Sequence, residues 1–96
     1  DGVIKVIFTP GHTPGHQSVL VNLPKTGHML LTGDACYTGD HWCDRWLPGL
    51  VASASDAADS VAKLRKIARE TNAKVVWGHD PVTWLDWNKA PMFYYD

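Results

Sequence analysis

The stretch Thr9-Pro10-Gly11-His12-Thr13-Pro14-Gly15-His16 constrains this chain more than any other. Two prolines and two glycines within eight residues deny it helical hydrogen bonding and favour sharp turns, so it must be a loop between regular elements. Residues 3–9 alternate and are rich in Val, Ile and Phe, which predicts a strand that Pro10-Gly11 stops. On the other side, residues 17–23 predict a second strand, 24–27 a turn, and 28–32 a third strand ending at Gly33, which together make a hairpin.

From residue 34 to 50 the pattern breaks into Gly, Asp, Trp, Cys and Pro, a loop longer than the usual connection. Tyr37, Trp42 and Trp46 within it predict an ordered loop. Ser53 with Asp56 three residues on resembles a capping box, and Ala57, Val61, Leu64 and Ala68 recur at helical spacing. A helix is therefore expected to end near Asn72, a residue that tolerates the left-handed terminal conformation. Residues 74–78 hold the apolar triplet Val75, Val76, Trp77 and predict a buried strand that delivers His79 and Asp80 at its C-terminal end. The last sixteen residues are aromatic and irregular. The chain reads as one unit over residues 1–96, without repeat or linker.

Composition narrows the function classes. Nine Lys and Arg stand against ten Asp and Glu, and the only basic cluster, Lys63, Arg65, Lys66 and Arg69, falls on the expected helix as a solvated face. No nucleic-acid footprint results. No apolar run approaches a membrane span, and no charged start followed by an apolar stretch marks a signal peptide. Two cysteines, Cys36 and Cys43, are too few for a disulfide framework. A cytoplasmic protein is expected, with a single bridge left open.

Three sites share one design: a strand runs into a glycine, and a metal-capable side chain follows. They are Gly11-His12, Gly33-Asp34 and Gly78-His79. A glycine there lets the backbone turn or approach closely, so that the next side chain projects from the sheet edge. Imidazole and carboxylate are zinc-type ligands. Taken singly, a histidine after a strand is more often a hydrogen-bonded surface residue. Three together point to a metal site, although the spacing is no compact signature.

The segments TPGHTPGHQS, LLTGDACY and VVWGHD, in that order and with a helix before the last, resemble the C-terminal half of the metallo-β-lactamase fold. Within that superfamily the chain is most similar to the N-acyl homoserine lactonases, including the Asp-Ala-x-Tyr stretch and the tail Phe93-Tyr94-Tyr95. The resemblance implies an α+β fold, half of a four-layer αβ/βα sandwich, with one mostly antiparallel sheet and one main covering helix. It makes His12 a ligand of one zinc ion, His79 a ligand of a second, and Asp34 the carboxylate bridging both. It implies a metal-bridging hydroxide that opens the lactone ring of an acyl homoserine lactone, with Tyr37 donating a hydrogen bond to the developing oxyanion. Tyr37 read from the residues alone is an ordinary loop aromatic. Thioesterases and β-lactamases of the same superfamily are the alternative activities.

His16 lies four residues after His12, but Pro14 and Gly15 make a shared helical face implausible, and because the resemblance makes the first histidine the ligand, His16 reads as a supporting or structural residue. Asp80 either orients a histidine or caps a turn. Trp42, Trp46, Trp84 and Trp87 line an acyl-chain pocket or belong to the core. The chain departs from the family in lacking its H-x-H-x-D-H motif, which supplies four further ligands from the N-terminal half. Asp40-His41 mimics only the last two residues, with Cys36 and Thr38 in place of the first histidines. Cys36 with His41 remains an alternative metal pair. The partner implied is a complementary N-terminal half, expected on another chain or, preferably, in a longer protein of which this is a fragment; an inactive half-domain that needs that complement is the alternative of a different class. A homodimer is open as an assembly but cannot repair the gap, because no copy carries the motif.

Overall fold

The computed structural model describes residues 2–44, 46–91 and 95–96. Four strands form one mixed sheet in the order β1 (Ile4–Phe8), β2 (Gln17–Leu23), β3 (Gly27–Leu31), β4 (Lys74–Val76). The first three run antiparallel, and β4 lies parallel to β3. A parallel neighbour requires a crossover, and helix α2 (Ala54–Thr71) supplies it. One turn of 3-10 helix (Gly33–Ala35) follows β3, then the short helix α1 (Gly39–Asp44), and α3 (Pro81–Trp84) follows β4.

The register explains the core. Leu20 pairs with Leu30 and Leu30 with Val75, so one cross-strand row of apolar side chains faces α2, with Ile7 beside it. From the helix Leu64 enters this row fully buried, with Ile67 and Ala68 packed against it. α2 begins as its sequence predicts: the Ser53 hydroxyl accepts the Asp56 N–H (3.2 Å), and Asn72 closes the helix in the left-handed region at φ 52°.

Pleating sends the alternate residues to the opposite face. Ile4, Val6 and Phe8 of β1 are 65%, 57% and 54% exposed there, and Leu31 of β3 is 38% exposed. A strand face this apolar is the kind of surface that a second layer covers. The sheet thus has a helix on one side and an open hydrophobic face on the other.

Two stretches expected to be irregular contain helix. α1 lies within residues 34–50, where the Thr38 hydroxyl accepts the His41 N–H (3.1 Å) as a cap and Trp42 packs edge-on against Trp77. α3 lies in the last sixteen residues: Asp80 caps it by accepting the N–H groups of Val82 (3.0 Å) and Thr83 (3.1 Å), with Pro81 in its first turn. β4 is also shorter than expected, because after Val76 the chain leaves the sheet to pair with residues 36–37. Of the aromatic tail, Phe93 and Tyr94 lie outside the described residues, while the Tyr95 hydroxyl accepts the Asn88 N–H (2.7 Å).

Candidate metal centre

Backbone contacts bring the three strand-end sites together. After β4, the Gly78 N–H donates to the Cys36 carbonyl (3.1 Å) and the His79 N–H to the Tyr37 carbonyl (2.9 Å). These bonds carry His79 to the edge where β3 ends. Gly78 then meets Gly33 so closely that a Cβ on Gly78 would lie 2.3 Å from the Gly33 carbonyl oxygen. No other residue allows this approach, and it sets Asp34 and His79, the next residues, side by side.

A similar contact holds His12. Gly11, at φ 142°, abuts the start of α2, where a Cβ would lie 2.4 Å from the backbone of Ala57. Its carbonyl accepts the N–H groups of Ala52 (2.7 Å) and Ser53 (3.0 Å). The loop is therefore clamped to the helix that covers the sheet.

Asp34 stands in the middle. One carboxylate oxygen, Oδ1, lies 2.7 Å from His79 Nε2, and the other, Oδ2, lies 3.3 Å from His12 Nε2. The His12 Nδ1 is 3.1 Å from the Leu50 carbonyl, an acceptor only, so Nδ1 carries a proton. In the neutral ring the Nε2 lone pair then faces a carboxylate oxygen. Two acceptors in that position are satisfied by a proton or by a metal cation between them. His79 is 62% exposed, so the edge is open to solvent.

Tyr37 sits between the two histidines. Its ring packs edge-on at 4.8 Å from the His79 ring and 6.0 Å from that of His12, and its hydroxyl lies 3.4 Å from His12 Nδ1. The four residues picked out in the sequence, His12, Asp34, Tyr37 and His79, thus share one edge of the sheet. Among the described residues, no three His, Cys, Asp or Glu side chains converge on a single ion position. Each Asp34 oxygen instead has one histidine beside it, His79 at Oδ1 and His12 at Oδ2.

The remaining candidates separate. Asp80 orients no histidine: besides capping α3 it accepts the Gly39 N–H (2.8 Å). That bond, followed by the one from Thr83, holds its carboxyl below the ordinary range. Cys36 and His41 do not form a metal pair. Burial pushes the Cys36 thiol up to about 12, its S–H points at the Thr38 carbonyl, and His41 Nδ1 is taken by the Tyr37 N–H (3.2 Å). Burial also lowers the His41 imidazole, with Arg65 adding to the effect. Both cysteines are free.

Nor do the tryptophans build one pocket. Trp42 packs beside the core, under the Arg65 guanidinium, which also donates to the Trp42 carbonyl. Trp46 lines a groove against α2, and Trp87 packs on Tyr95. Trp84 reaches the candidate centre beside His79, in a groove of about 480 Å³ that it shares with Leu31, Val76 and Trp77, while Trp46 also approaches Tyr37 from another side. What the residues alone did not reveal is the contact of His16 with Asp34, whose only sequence trace is the second Gly-His of the loop.

The sheet, its single covering helix and the His–carboxylate–His edge define one αβ half of a two-sheet sandwich. The family model of the metallo-beta-lactamase superfamily matches residues 1–79, and the chain belongs to that superfamily. It is 55% identical over 94 residues to the N-acyl homoserine lactonase AttM of Azorhizobium caulinodans, covering 98% of this chain and 36% of that protein. An N-acyl homoserine lactonase of Bacillus cereus is 36% identical over 77 residues, covering 80% of this chain and 30% of its own length. Among solved structures, an N-acyl homoserine lactone hydrolase with N-hexanoyl-L-homoserine bound at its catalytic metal centre superposes with a TM-score of 0.89 at 28% identity. That match covers 98% of this chain and 37% of the hydrolase. The chain therefore spans between 30% and 37% of the length of these proteins. Among the described residues, no helix is long and apolar enough to cross a membrane.

Proposed function

We propose that this chain carries one side of a two-zinc hydrolase site that opens the lactone ring of N-acyl homoserine lactones. The observation that carries the reading is Asp34 with His79 at one carboxylate oxygen and His12 at the other. A carboxylate bridging two ions presents its oxygens in this way, one to each. The 55% identity to a lactonase and the superposition on a hydrolase with product at its metal centre support the substrate class. When bound, the zinc ions would polarise the acyl carbonyl and lower the pKa of a water toward neutrality.

The chain's own residues have distinct duties in this reading. His12, Asp34 and His79 would hold the ions, and the Leu50 carbonyl keeps the Nε2 lone pair of His12 aimed at the site. The Tyr37 phenol donates a hydrogen bond to the oxyanion that develops as the ring opens. Leu31, Val76 and Trp84 give the adjoining groove an apolar wall for the acyl chain. The further ligands come from an N-terminal complement, which also covers the open face of Ile4, Val6 and Phe8. Residues 1–96 act in this reading as the C-terminal half of one domain. Two free cysteines suit a reducing, cytoplasmic setting.

The open face and the shortage of ligands favour a second statement: by itself the chain is an inactive half. Zinc content by elemental analysis, with lactone, thioester and β-lactam hydrolysis assayed on the same sample, tests both. The chain is measured alone and combined with the N-terminal part of the Azorhizobium relative. The expected result is lactone opening and near two zincs only in the combination. Thioester or β-lactam hydrolysis exceeding that of lactone would overturn the substrate class, and full activity of the lone chain would overturn the half-site.

A further inference from the structure

We infer that His16 is a positioning residue that fixes the Asp34 backbone, and with it the direction of the carboxylate toward His12 and His79. This rests on the reading of Asp34 as the shared metal ligand. The Asp34 N–H donates to His16 Nε2 at 3.0 Å, so that nitrogen bears no proton and Nδ1 does. Nδ1 lies 2.9 Å from the Thr9 hydroxyl and 3.1 Å from the Thr9 carbonyl.

The remaining directions follow one by one. The Ser18 hydroxyl donates to the Thr32 carbonyl (2.9 Å), which leaves its oxygen to accept from Thr9, 2.9 Å away. Thr9 spends its proton on Ser18 and accepts from His16. A single relay thus runs from the Asp34 amide through His16, Thr9 and Ser18 to the carbonyl of Thr32. Thr9, Ser18 and Thr32 are 0%, 1% and 0% exposed, so no solvent replaces either hydroxyl of the relay.

Its anchor points are the ends of β1 and β3 and the start of β2, the places where the sheet hands the chain to the site. The ring also explains the residue before Asp34. Gly33 has φ 56°, and a Cβ there would come within 3.0 Å of His16 Nε2. With both ring nitrogens engaged, His16 has no lone pair to offer an ion. The second histidine of the loop aims the carboxylate, whereas the first faces it.

Two variants divide the ring's functions. In His16→Asn the side-chain amide keeps the bond to Thr9 but leaves the Asp34 N–H without an acceptor. In His16→Gln the side-chain oxygen reaches the place of Nε2 and restores it. The first measurement is amide hydrogen exchange by NMR on the metal-free chain: Asp34 is expected to exchange faster in His16→Asn and near the wild-type rate in His16→Gln. The second is a cobalt(II) titration of the chain combined with its N-terminal complement. His16→Asn is expected to bind about 10–100-fold more weakly, and His16→Gln within a few-fold of wild type.

An Asp34 amide unchanged in His16→Asn, or cobalt affinity equal across all three proteins, overturns the inference. So does an equal loss in both variants, which marks His16 as a packing residue only. If the wild-type assembly binds no cobalt, the two-metal reading fails, and the Asp34 amide alone then decides whether His16 holds it.

Discussion

Gly78→Ala tests the arrangement at its narrowest point. The added methyl would sit 2.3 Å from the Gly33 carbonyl oxygen and 2.9 Å from its carbonyl carbon, where ordinary contact begins near 3.4 Å. Neither atom belongs to a flexible side chain, so relief requires one backbone to move by about 1 Å relative to the other, a misplacement that can cost on the order of 100-fold in rate. The 2.7 Å contact between His79 and Asp34 is carried by the residues directly after these glycines and opens with them. The expected outcome is a fall of about 100-fold in kcat/KM for the lactone in the assembled enzyme, with overpacking costing about 1–3 kcal/mol of stability. Gly15→Ala is the matched control, because nothing lies within 4 Å of a Cβ there and its backbone needs no glycine. Steady-state kinetics and thermal melts of both variants make the comparison. A Gly78→Ala protein with wild-type kcat/KM would refute the claim that this close approach sets the site.

Other consequences are cheaper to test. Leu64 is fully buried in the row that joins helix to sheet, and Leu64→Ala should cost about 2–5 kcal/mol in denaturant unfolding, measured on the assembled protein. Asp80 has its folded pKa depressed by the Gly39 and Thr83 amides, so the stability it gives is full above the unfolded carboxyl pKa and is lost as pH falls through the folded value. Acid titration of thermal stability should therefore show a shallower loss in Asp80→Asn, whose amide oxygen still caps α3 but whose NH2 group cannot accept the Gly39 N–H. Cys36, pushed up to about 12 by burial, should resist iodoacetamide at pH 8 while the exposed Cys43 reacts, and mass spectrometry of the labelled peptides reads the difference. Phe8→Lys on the open sheet face should reduce self-association of the lone chain in light scattering, and unchanged association would place the sticky surface elsewhere.

How much of this was legible in the sequence depends on what holds each part. The strands and α2 were readable because their signals are local: alternation in residues 3–9 and 17–23, and Ser53 with Asp56 ahead of a helical apolar stripe. The edge residues were readable for a related reason. A glycine after a strand marks a sharp change in chain direction, and at Gly11, Gly33 and Gly78 the next side chain is carried to the same edge. α1 and α3 were not legible. Helices this short have no stable period, and they form because Thr38 and Asp80 cap them and because Trp42 finds Trp77 across the fold. The same limit hides the partner of His16, a residue the sequence marks only as supporting: Asp34 lies eighteen residues away, and the direction of the ring is settled by the hydroxyls of Thr9, just past β1, and Ser18 on β2. Residues that face a candidate ion are announced by the backbone that presents them. What a supporting residue aims is found only when the fold shows which lone pairs are already taken, and at this edge both ring nitrogens of His16 are taken.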